Sequence, residues 1–410
     1  MNSLVKVIPN VKKFKSYLFD VNKNVNPMML SGLTDTAKSH LAYATGFYAE
    51  KPICIITYNE MQAKKLLKDL EFFAEDVKFF PKREIINFDY LAESKEILNQ
   101  RIDVLNHIIN GKAKVIVTTI EAACQKMISK ENLYKNKLLV KVGDNLNLEE
   151  LKEKLILLGF ERYEITEGKG QFSIRGGIID IAVSDKKGVR IELWGDEIDS
   201  IRYFNISSQR STEMMQEIEI YPAYEFLLEK DLKTISENIQ NKNNNSIFKE
   251  IVENDIELIE SGEYINKIDK YFNSFYEEQN TLLDYLGEQF IIFLDECSKI
   301  KARIENIKKD NASIVKDLVE KKKFVPDSLT ILDDYLQFSE KIINKQAIYL
   351  EKQDIGFVDK QSMHAKRNGY SFSYREVNFF RSSMDLLFEE LQEATKRNKQ
   401  TIILGRKPRK

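Results

Sequence analysis

The feature that most limits the fold is an alternation of short apolar runs with helical stretches over roughly the first 120 residues. The run Pro52-Ile-Cys-Ile-Ile-Thr57 and the run Val115-Ile-Val-Thr-Thr119 are apolar without a break. That is the pattern of a strand covered on both faces rather than on one. Met28-Met29-Leu30 is a third, shorter run entering a loop, and Val77 to Phe80 is a fourth, stopped by Pro81. Between them Ala37 to Glu50, Glu60 to Phe73 and Ser94 to Ile109 read as helices, the second with Met61, Leu66, Leu67 and Leu70 on one side. Strands that alternate with helices predict a parallel α/β sheet.

The alternation breaks near residue 125. Leu148 to Leu158 is an amphipathic helix ended by Gly159, and four short runs follow: Gln171–Ile174, Gly177–Ile181, Val189–Trp194 and Ile198–Phe204. Gly- or Asp-containing turns separate them at Gly168–Gly170, Arg175–Gly177, Asp185–Gly188 and Gly195–Glu197. Such spacing predicts an antiparallel meander beside a helix, hence a small α+β domain over 126–222 inserted into the α/β one. From 223 to 345 the chain is mostly helical and charged, with a polar break at Gln240–Asn245 and a charge cluster at Lys321–Lys323. Phe290-Ile-Ile-Phe-Leu-Asp-Glu296 is a late strand suited to completing the first sheet. Residues 346–410 read as a linker followed by a helix (Ser382–Lys396) and a strand (Gln400–Leu404) without neighbours, the partial start of a further C-terminal domain.

At 410 residues the chain exceeds one ordinary domain. With 43% hydrophobic and 31% charged residues its composition is that of a globular protein. Basic and acidic residues nearly cancel, 62 against 64, which weighs against a surface given over to nucleic acid while leaving room for a local basic patch. Cys54, Cys124 and Cys297, like His40, His107 and His364, are scattered without metal-ligand spacing and read as structural. No signal peptide opens the chain and no run of ~20 apolar residues offers a membrane span, so the cytoplasm is the expected compartment.

The segment Ser31-Gly-Leu-Thr-Asp-Thr-Ala-Lys-Ser39 lies between a strand and a helix, the context of a G-x-x-x-x-G-K-[ST] phosphate loop. Gly32, Lys38 and Ser39 fit; Ala37 stands where the second glycine belongs. A Cβ there, with Asp35 adding negative charge, works against a nest of N–H groups closing on phosphate. Asp295 and Glu296, after the late strand, have the form of the acidic Mg²⁺-holding pair of such a site. Both remnants point to a degenerate P-loop, helicase-like sheet.

The run Gly170-Gln-Phe-Ser-Ile-Arg-Gly-Gly-Ile-Ile-Asp-Ile181, then Val189-Arg-Ile-Glu-Leu-Trp-Gly-Asp-Glu-Ile-Asp-Ser-Ile-Arg202 and Ser208-Gln-Arg210, resembles the inserted domain shared by the transcription-repair coupling factors and excinuclease B of bacterial nucleotide excision repair. Asp89-Tyr90, the helix after it and Val115–Glu121 are similar to the first domain of the same family. The likeness is close over 27–225 and loose beyond. Excinuclease B has an intact phosphate loop and a long DNA-clamping hairpin; here Ala37 interrupts the loop, and five residues between Phe88 and Ser94 are too few for the hairpin. Both features match the N-terminal region of the coupling factor. The resemblance implies that Arg175, Arg190 and Trp194 contact excinuclease A, the component that recognises damage, with Trp194 replacing the family's more usual Phe. Independently, Arg190, Glu192 and Trp194 share one strand face by the period of two, and Val189, Ile191 and Leu193 the other. Trp beside Arg is the composition of an interface anchor.

The implied function is a protein-docking and autoinhibitory module that recruits excinuclease A to stalled RNA polymerase and hydrolyses no nucleotide. ATP and Mg²⁺, RNA polymerase and DNA are implied only for the family's other domains. The alternative is an active excinuclease B or another P-loop DNA-dependent ATPase, so whether the chain is itself an enzyme stays open.

Overall fold

The computed structural model describes residues 3–83, 95–225, 227, 232–243, 249–260, 271–276, 278–320, 332–353, 368–374, 384–399 and 401. Helix α1 (Lys12–Asn22) precedes strand β1 (Met28–Ser31). Helix α2 (Asp35–Ala49) follows β1 through a short loop, and Thr34 caps it by accepting from the Ala37 amide. Strand β2 (Ile53–Thr57), helix α3 (Glu60–Leu70), strand β3 (Val77–Phe80), helix α4 (Lys95–Ile109) and strand β4 (Val115–Thr119) continue the alternation.

The inserted region starts with strand β5 (Leu138–Lys141) and helix α5 (Leu148–Leu157). Strands β6 (Glu161–Arg162), β7 (Gln171–Arg175), β8 (Ile178–Ala182), β9 (Lys187–Trp194), β10 (Glu197–Asn205) and β11 (Ser211–Met215) form one sheet in the order β11-β10-β9-β8-β7-β6. Strand β12 (Glu217–Ile220) then pairs with β5. Leu151, Leu155 and Leu158 from the helical side close a core over Phe172, Ile179, Ile181, Val189, Ile191 and Ile201 of the sheet.

The chain returns through helices α6 (Leu232–Lys242) and α7 (Lys249–Glu260) to strand β13 (Ile291–Asp295) and the long helix α8 (Cys297–Glu320). Strand β14 (Gln346–Leu350), strand β15 (Asn368–Ser371) and helix α9 (Met384–Lys396) follow. The large sheet has the order β15-β1-β14-β13-β2-β4-β3, and every pairing in it is parallel. Its central strands are buried on both sides, as their unbroken apolar runs require. Ile53 and Ile55 face one core with Ile291 and Phe293, while Cys54 and Ile56 face the other with Ile292 and Leu294. The molecule is α/β with an inserted domain built on an antiparallel sheet.

The expected boundary at 345 does not hold. β14 lies between β1 and β13, all five of its residues buried, and β15 adds an edge strand from the stretch read as linker. Gln346-Ala-Ile-Tyr-Leu350 carries polar Gln and a short apolar core, too brief a signal beside the helix that precedes it. Beyond Tyr374 the described residues contain only α9, none of it buried, and no further sheet. The expected strand Gln400–Leu404 (apart from Thr401), the cluster Lys321–Lys323, His364 and the short Phe88–Ser94 connection lie outside the described residues. All three cysteines are buried free thiols. Among the described residues no helix is long and apolar enough to cross a membrane, and no group of three or more His, Cys, Asp or Glu could hold a metal ion.

Candidate functional site

At the C-terminal edge of the large sheet the two expected halves of a phosphate site do meet. Lys38, in the first turns of α2, donates to Asp295 Oδ1 at 2.6 Å and to Glu296 Oε1. The Lys38 side chain is fully buried, as is that of Asp295. Thr57 Oγ1 donates to Asp295 Oδ2 at 2.8 Å, and the Lys352 amide donates to Glu296 Oε1 at 3.0 Å. Burial alone would lower the Lys38 pKa; the two carboxylates outweigh it and hold the ammonium above its ordinary value. Lys38 is therefore not a solvated lysine at a helix start.

The loop itself is covered by its own chain. Gly32 has φ +72°, and a Cβ placed on it would come within 1.9 Å of the Phe372 carbonyl oxygen. The Phe372 amide donates to the Ser31 carbonyl at 2.8 Å, and the Tyr374 amide to the Gly32 carbonyl at 3.3 Å. Ala37 is buried, and Asp35, rather than standing free in the loop, pairs with Lys65 Nζ at 2.6 Å and Lys352 Nζ at 3.0 Å. Burial tends to raise the Asp35 carboxyl, but the two lysines win and bring it down to about 2. Ser39 Oγ is buried without a hydrogen-bond partner among the described residues, an arrangement that costs about 1–3 kcal/mol.

The second cluster lies on the outer face of the inserted sheet, opposite α5. On β9, Val189 and Ile191 are fully buried and Leu193 packs against the same core, while Arg190 and Glu192 are half-buried and Trp194 is 84% exposed. The period of two thus assigns the faces as expected, across a register shift between Glu192 and Leu193. Arg190 shares that face but is largely covered: its side chain is only 16% exposed. The cause is Asp180 on the neighbouring β8, which is completely buried and accepts from Arg190 Nε at 2.7 Å and Nη2 at 2.9 Å. The hydrogen bonds to Asp180 raise the Arg190 pKa further. Beneath the guanidinium lies the Phe204 ring, 5.0 Å away. Phe204 in turn sits over Gly188, where any Cβ would meet the ring at 2.2 Å.

Arg175, at the end of β7, reaches the same carboxylate: its Nη2 donates to Asp180 Oδ2 at 2.9 Å, with the side chain 48% exposed. The strand ladder adds residues that the sequence reading left out. Asp180 stands opposite Arg190, Arg190 opposite Arg202, and Arg202 opposite Met214. Arg202 Nη2 lies 3.1 Å from Glu192 Oε2, which also accepts from Ser200 Oγ. Ile178 and Met214 are exposed apolar side chains, 39% and 71%. Asp180 had a signal in the sequence, since a carboxylate inside Ile-Ile-Asp-Ile must be paired if the strand is buried. Arg202 and Met214 had none, because only the strand register brings them to this face.

The fold and its sites define a class: a parallel α/β unit whose Gly32–Ser39 segment is covered by its own chain, carrying an inserted domain with a mixed arginine and apolar face. Residues 138–226 match the UvrB interaction domain. Over 99% of its length the chain is 30% identical to the transcription-repair-coupling factor of Bacillus subtilis (strain 168), covering 35% of that protein. It is 27% identical to that of Staphylococcus aureus (strain USA300) over 92% of the chain, covering 33% of the relative. The chain thus spans about a third of the length of the curated relatives it matches. Its resemblance to the N-terminal region of the transcription-repair coupling factors, read from the run Gly170–Arg210, is borne out.

Proposed function

We propose that this chain is the docking module of a transcription-repair coupling factor, and that the outer face of its inserted domain binds excinuclease A, the damage-recognition component of excision repair. Trp194 carries the reading. An indole 84% exposed, on the same strand face as an arginine fixed by a buried carboxylate, is unfavourable in water and well suited to an interface anchor. Its place inside the segment matching the UvrB interaction domain supports the same partner. Through that contact the module recruits excinuclease A to stalled RNA polymerase, and an autoinhibited full-length protein covers this face until it is needed. RNA polymerase, DNA, ATP and Mg²⁺ are engaged by the rest of the full-length protein.

In this reading the module itself hydrolyses no nucleotide. The residues present do not fit a bound triphosphate: Lys38 is committed to Asp295 and Glu296, and the Phe372 carbonyl lies over Gly32. The unpartnered Ser39 hydroxyl is the one feature among the described residues that favours the alternative, an active P-loop ATPase.

Two titrations of the intact chain test the proposal. With excinuclease A, Trp194→Ala is expected to weaken binding at least tenfold, in keeping with the ~2 kcal/mol typical of a buried aromatic anchor. Wild-type affinity in that variant removes the docking assignment. With ATP and Mg²⁺, calorimetry is expected to show no binding tighter than ~1 mM. Micromolar binding that Lys38→Ala abolishes restores the enzyme.

A further inference from the structure

The docking face contains a residue that no partner could touch. Asp180 is completely buried, yet its carboxylate accepts from both arginines of the face: Arg190 through Nε and Nη2, Arg175 through Nη2. Oδ2 is shared between the two guanidiniums at 2.9 Å each, and Oδ1 is taken by Arg190 Nε at 2.7 Å. A carboxylate in such a position fixes the orientation of both planar groups, since a guanidinium donates in a rigid fork. Arg190 is further held against the Phe204 ring and does not need a partner to be ordered. Arg175 is different: it is anchored at one nitrogen and half exposed.

Within the ion-paired row, Arg175, Arg190 and Arg202 meet Asp180 and Glu192, three positive groups against two negative ones, while Glu197 stands outside that row, opposite Trp194. The most open cation of the row is Arg175, 48% exposed. Beside this row stand three exposed apolar side chains, Ile178, Trp194 and Met214. Ile178 is directly opposite Arg175 in the ladder, and Met214 directly opposite Arg202.

We infer that Asp180 is the positioning residue of this face, and that the surface fitting it carries a carboxylate for Arg175 flanked by apolar side chains for Trp194, Ile178 and Met214. The inference rests on the docking reading above and deepens it. Asp180 acts at a distance: it holds the Arg175 fork pointed outward and stops it from collapsing onto the indole or into solvent. In the bound state the incoming carboxylate completes the third charge pair, and the apolar side chains exclude water from it.

The test uses the intact chain, with excinuclease A as the probe. Asp180→Asn keeps the shape and removes the charge; it is expected to weaken binding about tenfold. Arg175→Ala is expected to weaken it by a similar factor. The decisive readout is the double variant. If Asp180 acts through Arg175, adding Asp180→Asn to Arg175→Ala produces little further loss, whereas a merely structural role gives the product of the two losses. Full multiplicativity, or wild-type affinity in a folded Asp180→Asn, overturns the inference. Should Asp180→Asn not fold, Arg175→Glu serves instead, because that position is exposed. It is expected to abolish binding by facing the partner's carboxylate with a like charge, and unchanged affinity overturns the inference equally. Trp194→Ala separates the two levels. Loss of binding there with none in Asp180→Asn defeats the positioning role alone, and no loss in Trp194→Ala defeats the docking reading itself.

Discussion

The phosphate loop and the inserted face are built from the same parts in opposite proportion. In the loop one ammonium, Lys38, meets two carboxylates, Asp295 and Glu296. On the inserted sheet one carboxylate, Asp180, meets two guanidiniums, Arg175 and Arg190. In the first cluster the cation is fully withdrawn from water together with one of its acids; in the second only the anion is. The consequence for function follows from where the charge is left over. In the first cluster the ammonium is taken up by its two acids. A buried acid saturated by two arginines leaves positive charge at the surface, oriented and available. The chain thus carries one charged cluster closed on itself and one that leaves guanidinium surface exposed.

The sharpest way to break this comparison is at Lys38. Removing it leaves Asp295 and Glu296 in the interior without their counter-charge, and losing one partner of a buried pair typically costs ~3–5 kcal/mol. Lys38→Ala is therefore expected to lower the denaturant midpoint strongly. In a working nucleotide site the same change would leave stability nearly intact and remove ATP binding instead, so equilibrium unfolding beside calorimetry tells the two apart.

Within the inserted face the two arginines are expected to separate. Arg190→Ala strips Asp180 of its bidentate partner and uncovers Phe204, with an expected loss of about 1–3 kcal/mol in stability. Arg175→Ala removes a half-exposed partner and is expected to cost under ~1 kcal/mol. Thermal unfolding of the two variants measures this; equal losses would mean that Asp180 does not distinguish them.

A smaller effect is expected at the mouth of the closed loop. Gly32→Ala adds a Cβ against the Phe372 carbonyl at a φ of +72°, strain of about 1–3 kcal/mol. The segment that covers the loop is expected to yield first, so the amides of Phe372 and Tyr374 should exchange hydrogen faster than in the wild type. Unchanged protection there would mean that the cover does not depend on contact with Gly32.

How much of this was legible beforehand depends on how local each signal is. β2 and β4 announced themselves because five consecutive buried residues leave a continuous apolar run. Trp194 and Arg190 could be placed on one face because the strand period is set by the backbone alone. β14 escapes the sequence reading although it is equally buried, since its place between β1 and β13 depends on a pairing such as Met28 with Ile348, segments far apart in the chain that no local pattern connects. The same holds for the Phe372 carbonyl over Gly32 and for the covering of Arg190 by Asp180 and Phe204. Each is decided by a partner on another element, and a single strand or loop carries no record of it. The missing glycine at Ala37 drew attention to the loop, but carried no record of the ion pairs Lys38 makes beside it.

The least of the expected effects concerns Asp35, which the sequence placed as a free negative charge in the loop. Lys65 and Lys352 flank it and hold its carboxyl at about 2, against 3.8 for the ordinary group. A depressed carboxyl contributes stability that is fully present above its unfolded value and disappears as pH falls through the folded one. The window is therefore from about pH 4 down to about pH 2, and at neutral pH the contribution is constant. Both lysines are substantially exposed, so the gain is of the surface kind, under ~1 kcal/mol, and screened by salt. Asp35→Asn is expected to lower the thermal midpoint slightly at pH 7 and to match the wild type near pH 2. A difference that persists undiminished at pH 2 would show that the Asp35 side chain stabilises the loop through something other than its charge. In that event its two lysines would be bystanders, and the negative residue at the mouth of the phosphate loop would be a packing group.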